Sequence, residues 1–272
     1  MKRILLSLVS VMLLASVANS QGFYARVGVG LSGGTTCNLD MLYKYTNDGT
    51  TRKIEVVPVD LGSGFTGAAS VGYMVKKYFG FELSISQFLG FSNVGDSIMR
   101  IPGAMNATAK ISGSMLSVIP AVVITAGLDK VNPYARFGIV LGVMPRIYGR
   151  YEATQTTNPP TDIVIWKQFY GGMALGFNAT AGVDFNLSKV VNFFVEATFN
   201  GITWSPNYSE IVTWTKNGVD ELPTKNAKEI KTKYYSTIDL NEQIPDTNPD
   251  KKLRSTYPFN NAGVSFGVKF KF

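Results

Sequence analysis

Residues 261–272 read NAGVSFGVKFKF. Ala262, Val264, Phe266, Val268, Phe270 and Phe272 share one parity, and Asn261, Gly263, Ser265, Gly267, Lys269 and Lys271 share the other. A period of two sends the two sets to opposite faces of a strand. One face is apolar to its end. A soluble sheet could bury such a face, so what decides the fold is whether the rest of the chain repeats the pattern.

It does so seven more times, near 22–31, 64–75, 78–87, 111–126, 133–150, 166–185 and 190–204. In the first segment Phe23, Ala25, Val27, Val29 and Leu31 alternate with Tyr24, Arg26, Gly28 and Gly30. In the third, Phe79, Phe81, Leu83 and Ile85 alternate with Gly80, Glu82, Ser84 and Ser86. The non-apolar parity is glycine, hydroxyl, amide and occasional charge rather than a solvated Lys/Glu face, which suits a narrow lumen. Connections alternate between short (76–77, 127–132, 186–189) and long (32–63, 88–108, 151–165, 205–258), as in a barrel with periplasmic turns and external loops. The fifth to seventh segments far exceed the soluble mode of ~5–6 residues and the ~9–11 needed to cross a bilayer. The pattern predicts an all-β fold: an eight-stranded antiparallel up-and-down transmembrane barrel, apolar side chains outward. A soluble sandwich or lipocalin-like barrel would invert that arrangement. Pro120 and Pro145 break the regularity, and a bulge or a local opening of the rim is expected at each.

The segment 205–258 is long for a plain loop and carries eight basic and eight acidic residues. Residues 211–214 and 233–240 have strand-like composition, which predicts a hairpin-like extension of the seventh and eighth strands. The alternative is a ten-stranded barrel in which part of 205–258 joins the wall. Aromatic residues near strand ends suggest interfacial girdles, with Tyr148, Tyr151, Trp166 and Trp204 at one rim and Tyr73, Tyr78, Phe79 and Tyr134 at the other.

Lys2 and Arg3, an apolar run over 4–14 and the small-residue site Ala18-Asn19-Ser20 follow the layout of an export signal. We expect a cleaved signal peptide at 1–20 and a single barrel domain at 21–272. Charged residues make up 17 % of the chain, below the ~25 % of ordinary soluble domains. The formal charge of +7 is spread out without a basic run or stripe, which argues against nucleic acid. A single cysteine, Cys37, excludes an internal disulfide.

The chain has no histidine. Serine–histidine hydrolysis and other histidine-dependent chemistry are therefore unavailable, as is the commonest metal ligand. Gly28, Gly30 and Gly33-Gly34 lie on a strand and its exit with no helix behind them, so they do not make a phosphate loop. No enzymatic activity, cofactor or metal site is expected. Parity sends Arg26, Glu82, Arg136, Arg146, Glu196 and Lys269 inward, where charge is tolerated only if paired or wet. The expected arrangement is a stapled lumen, with Glu82 and Glu196 bracketed by Arg26, Arg136 and Lys269.

Strand parity, eight strands, four long loops and the terminal Phe272 together resemble the small OmpA/OmpX-type barrels of the outer membrane protein β-barrel domain family. The resemblance implies the bacterial outer membrane, with lipid and lipopolysaccharide around the wall. It also implies periplasmic chaperones and the barrel-assembly machinery as partners in biogenesis, with Phe272 as the residue the machinery reads. It further implies a non-enzymatic protein whose loops serve binding or surface-structural roles. A narrow channel for small or apolar solutes, similar to the OmpW-like barrels, is the second reading. A lipid-modifying enzyme is the third, and the lack of histidine weighs against it.

Overall fold

A computed structural model describes residues 22–47, 50–101, 105–155 and 159–272; the expected signal segment 1–20 lies outside them. In chain order the strands are β1 (Phe23–Gly34), β2 (Thr36–Asn47), β3 (Arg52–Asp60), β4 (Gly64–Lys76), β5 (Phe79–Gly90), β6 (Asn93–Ile101), β7 (Met105–Thr125), β8 (Val131–Gly142) and β9 (Arg146–Gln155). They continue as β10 (Thr161–Tyr170), β11 (Ala174–Asn186), β12 (Val191–Trp204), β13 (Tyr208–Lys216), β14 (Val219–Asp220), β15 (Lys231–Tyr235), β16 (Asp250–Leu253), β17 (Tyr257–Pro258) and β18 (Asn261–Lys271). The one α-helical turn among the described residues, α1 (Ala227–Ile230), carries a capping box between Asn226 and Glu229.

Eight of these strands close on themselves through antiparallel pairs in the order β1, β4, β5, β7, β8, β11, β12, β18 and back to β1. The last closure runs from Tyr24↔Lys271 to Gly34↔Asn261. The barrel therefore has the eight strands that parity predicted, and 205–258 adds none to its wall. A strand of 12 residues, as in β1, rises ~40 Å and, tilted by ~40°, spans ~30 Å of membrane. The apolar parity faces outward: Val27, Phe81, Phe137 and Phe266 are 49 %, 53 %, 56 % and 54 % exposed. Arg26 and Glu82 on the inner face are 4 % and 3 % exposed. A continuous apolar belt around a polar interior belongs in lipid, not in water.

The long connections are not open loops. β2 and β3 pair with each other, β6 pairs with the outer half of β7, and β9, β10 and β13 continue the sheet in order. β7 runs unbroken for 21 residues through both the membrane and the outer sheet. In 205–258, β13 extends strand seven as expected, by pairing with β10. The position beside it is taken by β15, over three residue pairs, rather than by a continuous extension of strand eight. β15 ends at Tyr235, short of the predicted 240.

Two predicted strands are each two strands. The fifth breaks where Met115 and Leu116 of β7 face three residues, Val143, Met144 and Pro145, between β8 and β9. This is a bulge, and it reverses the side-chain parity beyond it. The sixth breaks at Gly171 and Gly172, whose φ values of +79° and +76° favour glycine. Pro145 thus sits in a bulge as expected. At Pro120 the ladder from β7 to β8 skips Ile119 and Pro120 and resumes in the same register at Ala121.

Candidate functional site

The residues that could give this barrel a specific activity face its lumen, where three levels lie above a Lys269–Asp184 pair. The first of the three is charged. Arg26 on β1 and Arg136 on β8 each pair with both Glu82 on β5 and Glu196 on β12. The distances are 3.4 Å for Arg26–Glu82, 2.7 Å for Arg26–Glu196 and 2.7 Å for Arg136–Glu196; Arg136 also contacts Glu82. Two cations and two anions alternate in a closed, electroneutral ring.

Neighbouring hydroxyls complete its hydrogen bonds. Tyr24 donates to Glu82 at 2.8 Å and Tyr134 to Glu196 at 2.6 Å. Ser84 donates to Glu82 and Ser265 to Glu196. The Arg26 guanidinium lies 3.9 Å above the Phe194 ring. Phe194 in turn lies over Gly28 and Gly267, where a Cβ would come within 2.8 and 2.7 Å of ring atoms. Glycine on the inner parity of these strands is what leaves room for the ring system. A buried ion pair yields net stability only when its remaining hydrogen bonds are met, and here nearly all are.

The next level is a cavity of about 90 Å³ above the ring, walled by Arg26, Arg136 and Glu196 and by uncharged side chains such as Ser86, Thr180 and Asn200. Its roof begins with an amide ladder: Asn178 donates to Asn200 at 2.8 Å, Asn200 to Asn261 at 2.8 Å, and Asn261 to the Phe259 carbonyl at 3.0 Å. Above it lies an apolar core inside the outer end of the barrel and the sheet beyond. Trp204, Phe259, Leu61 and Val140 are fully buried there, with Ile111, Met115, Phe169 and Tyr257 around them.

Four of the six predicted lumen charges, Arg26, Glu82, Arg136 and Glu196, therefore meet in one ring. Lys269 does not join it. The Lys269 ammonium pairs at 2.8 Å with Asp184, one level nearer the periplasm. Arg146 is exposed: the bulge at 143–145 turns it out of the lumen that unbroken parity assigned to it. Phe272, 43 % exposed, donates its backbone N–H to the Phe23 carbonyl at 3.0 Å. Of the predicted girdle residues, Tyr73, Tyr78, Phe79 and Trp166 face outward, while Tyr134 and Trp204 are buried in the interior. Cys37 lies on β2, and its side chain is outside the described residues.

Sequence reasoning also missed Asp184, Phe194, Val140, Ile202 and Trp204. Their signal was present, because each shares the parity of an inward charge on its own barrel strand or, for Asp184, of the inward Asn178 and Thr180. For the four apolar residues it was masked by the rule that apolar means outward, whereas Asp184 already stood on the inward parity and was only left out of the charge network. Outside the membrane, burial and the nearby Lys252 push the Lys167 amine on β10 down to about 8. Burial raises the Tyr151 phenol to about 12. Among the described residues no three His, Cys, Asp or Glu side chains are grouped to hold a metal.

The family model of the outer membrane protein β-barrel domain matches residues 4–220. No curated protein matches the chain. Among solved structures it is similar to Neisserial surface protein A, at 11 % identity and TM-score 0.40 over 92 % of this chain and 97 % of that one. It is also similar to the outer membrane protein OprG from Pseudomonas aeruginosa, at 12 % identity and TM-score 0.45 over 93 % of this chain and 96 % of that one. A third, the outer membrane protease OmpT from Escherichia coli, aligns at 8 % identity and TM-score 0.36 over 92 % of this chain and 97 % of that one.

Proposed function

Because the chain belongs to the outer membrane protein β-barrel domain family and resides in the bacterial outer membrane, we propose that it is a closed, non-enzymatic barrel. In this reading it carries a folded sheet above the cell surface for binding or structural roles. The observation that supports it is the lumen, blocked by two different chemistries: an electroneutral ring of ion pairs below and a buried apolar core above. A solute small enough to pass the ring would still meet Trp204 and Phe259.

The narrow channel for small or apolar solutes is the rival, and the same two layers weigh against it. Enzymatic chemistry has little to draw on, since the sequence holds no histidine and both ring carboxylates are saturated by arginine and hydroxyl donors. The outward belt contacts lipid and lipopolysaccharide, and Phe272 at the periplasmic end of the closing seam is the feature presented to the assembly machinery. Planar-bilayer recording tests the proposal. The refolded protein is expected to give no unitary conductance, and steady single channels from pure, heat-modifiable protein would sink it.

A further inference from the structure

We propose that the rim of the barrel at its short turns is a binding surface for anionic phospholipids of the periplasmic leaflet. The inference rests on the reading that the barrel spans the outer membrane with those turns on the periplasmic side. The turns follow β4, β7 and β11, and each carries lysine: Lys76 and Lys77 at the first, Lys130 at the second and Lys189 at the third. All four are exposed. Within 76–78, 126–130 and 187–190 the single acidic residue is Asp129. This end is therefore basic, whereas the segment 205–258 at the opposite end balances eight basic with eight acidic residues.

The surroundings of the lysines say which anion they meet. Val75 and Tyr78 flank the first turn, Leu128 and Val131 the second, and Leu187 and Val190 the third, all 46–71 % exposed. Apolar side chains on both sides of an ammonium suit the boundary between acyl chains and headgroups, where lysine lays its stem on apolar surface and keeps its charge among phosphates. A polar anionic polymer of the periplasm would pair with the lysines and leave those apolar side chains in water. The turns are also fixed. The Thr125 N–H donates to the Tyr78 carbonyl at 3.0 Å, the Asn186 N–H to the Lys130 carbonyl at 3.0 Å and the Lys271 N–H to the Val190 carbonyl at 2.8 Å. Each turn is thus tied to the end of a neighbouring strand, and the lysines stand around the rim on a rigid frame that needs little ordering to bind.

Electron paramagnetic resonance of the refolded protein in phosphatidylcholine vesicles with a trace of spin-labelled phospholipid tests this, because lipid held against the protein gives a motionally restricted component. Spin-labelled phosphatidylglycerol is expected to associate roughly 2–5 times more strongly than spin-labelled phosphatidylcholine at low ionic strength. The preference should vanish in about 1 M salt, where the Debye length is about 3 Å. It should also vanish when Lys76→Gln, Lys77→Gln, Lys130→Gln and Lys189→Gln are combined, and survive when Lys216, Lys225, Lys228 and Lys231 at the opposite end are replaced by glutamine instead. Should the combined rim variant fail to refold, judged by heat-modifiable gel mobility, Lys76→Gln with Lys77→Gln is expected to lose about half of the preference. A preference absent from the wild type, or unchanged in a folded rim variant, would overturn the proposal. A restricted component missing for every lipid would overturn the membrane reading along with it. Co-sedimentation with purified peptidoglycan that depends on the rim lysines, without any lipid preference, would assign the rim to the wall polymer and overturn the proposal equally.

Discussion

Glu196 accepts from Arg26, Arg136, Tyr134 and Ser265 at 2.6–3.0 Å, and among the other described side chains only Glu82 forms an ion pair with both arginines. Glu196→Ala leaves two cations sharing one carboxylate in a buried site. The expected cost is about 3–5 kcal/mol, read from urea unfolding of the refolded protein in phospholipid vesicles. Glu196→Gln keeps an acceptor and should lose less. Phe199, three residues on, faces the other way at 43 % exposure. Phe199→Arg is expected to cost about 2–4 kcal/mol if the residue lies near the midplane. Fluorophores at Cys-substituted 196 and 199, with Cys37 replaced, separate the two faces. A lipid-soluble quencher should reach 199 and miss 196, and the reverse would mean that the apolar face lines the interior.

β13 is held along its length by β10, but β15 touches β13 over three residue pairs and β16 pairs only with β15. Strands with few ladder hydrogen bonds open first. Amide exchange should therefore be slowest in β13, intermediate in β15 and fastest in 236–249, where no strand forms. Uniformly fast exchange across 208–249 would mean that the outer sheet is not formed in the membrane. The same geometry sets proteolysis: protease added to whole cells should cut within 236–249 and spare the Lys76-Lys77 turn at the opposite end of the barrel. Cleavage after Lys76 in intact cells would reverse the orientation.

The molecule joins a wall solvated by lipid to a sheet solvated by water, and Lys167 reports on the second part alone. Its amine is down at about 8 in the folded sheet and near 10.5 when unfolded. The unfolded chain therefore binds more protons between those values, and stability rises with pH across that window. Below pH 8 the folded sheet carries the full penalty of a half-buried ammonium. Local exchange in β10 and β13 is expected to slow as pH rises from 8 to 10.5, after correction for intrinsic exchange. Lys167→Met should abolish that dependence and stabilise the sheet at pH 7 by ~1 kcal/mol. An unchanged pH slope in Lys167→Met would assign the effect to another group.

Strand number, closure and the outward direction of the apolar face were legible in the sequence, because in the membrane the strands follow one main rule, apolar to lipid and small or polar to the lumen, with Phe194 and Val123 as buried inward exceptions. Phe23–Leu31 and 261–272 show it without exception. The pairing of four inward charges followed from the same rule, since Arg26, Glu82, Arg136 and Glu196 all lie within unbroken strands. The sequence did not reveal the point at which the rule changes. Above the membrane the outer face meets water, so the apolar face has to turn inward. β8–β9 and β10–β11 do this by a break that reverses parity, at 143–145 and 171–173, and β12–β13 does it at 205–207. β7 keeps its register and exchanges the chemistry of its faces instead, with Ile111 and Met115 inward above and Leu116 and Val118 outward below. A period of two carries no information about a one-residue slip. Arg146 was therefore assigned to the lumen, and unbroken parity over 166–185 would set Phe169 on the outward face with Phe177, although it is buried in the core. Which side a residue occupies beyond such a break depends on its partners across the ladder, and those come from strands far away in the chain.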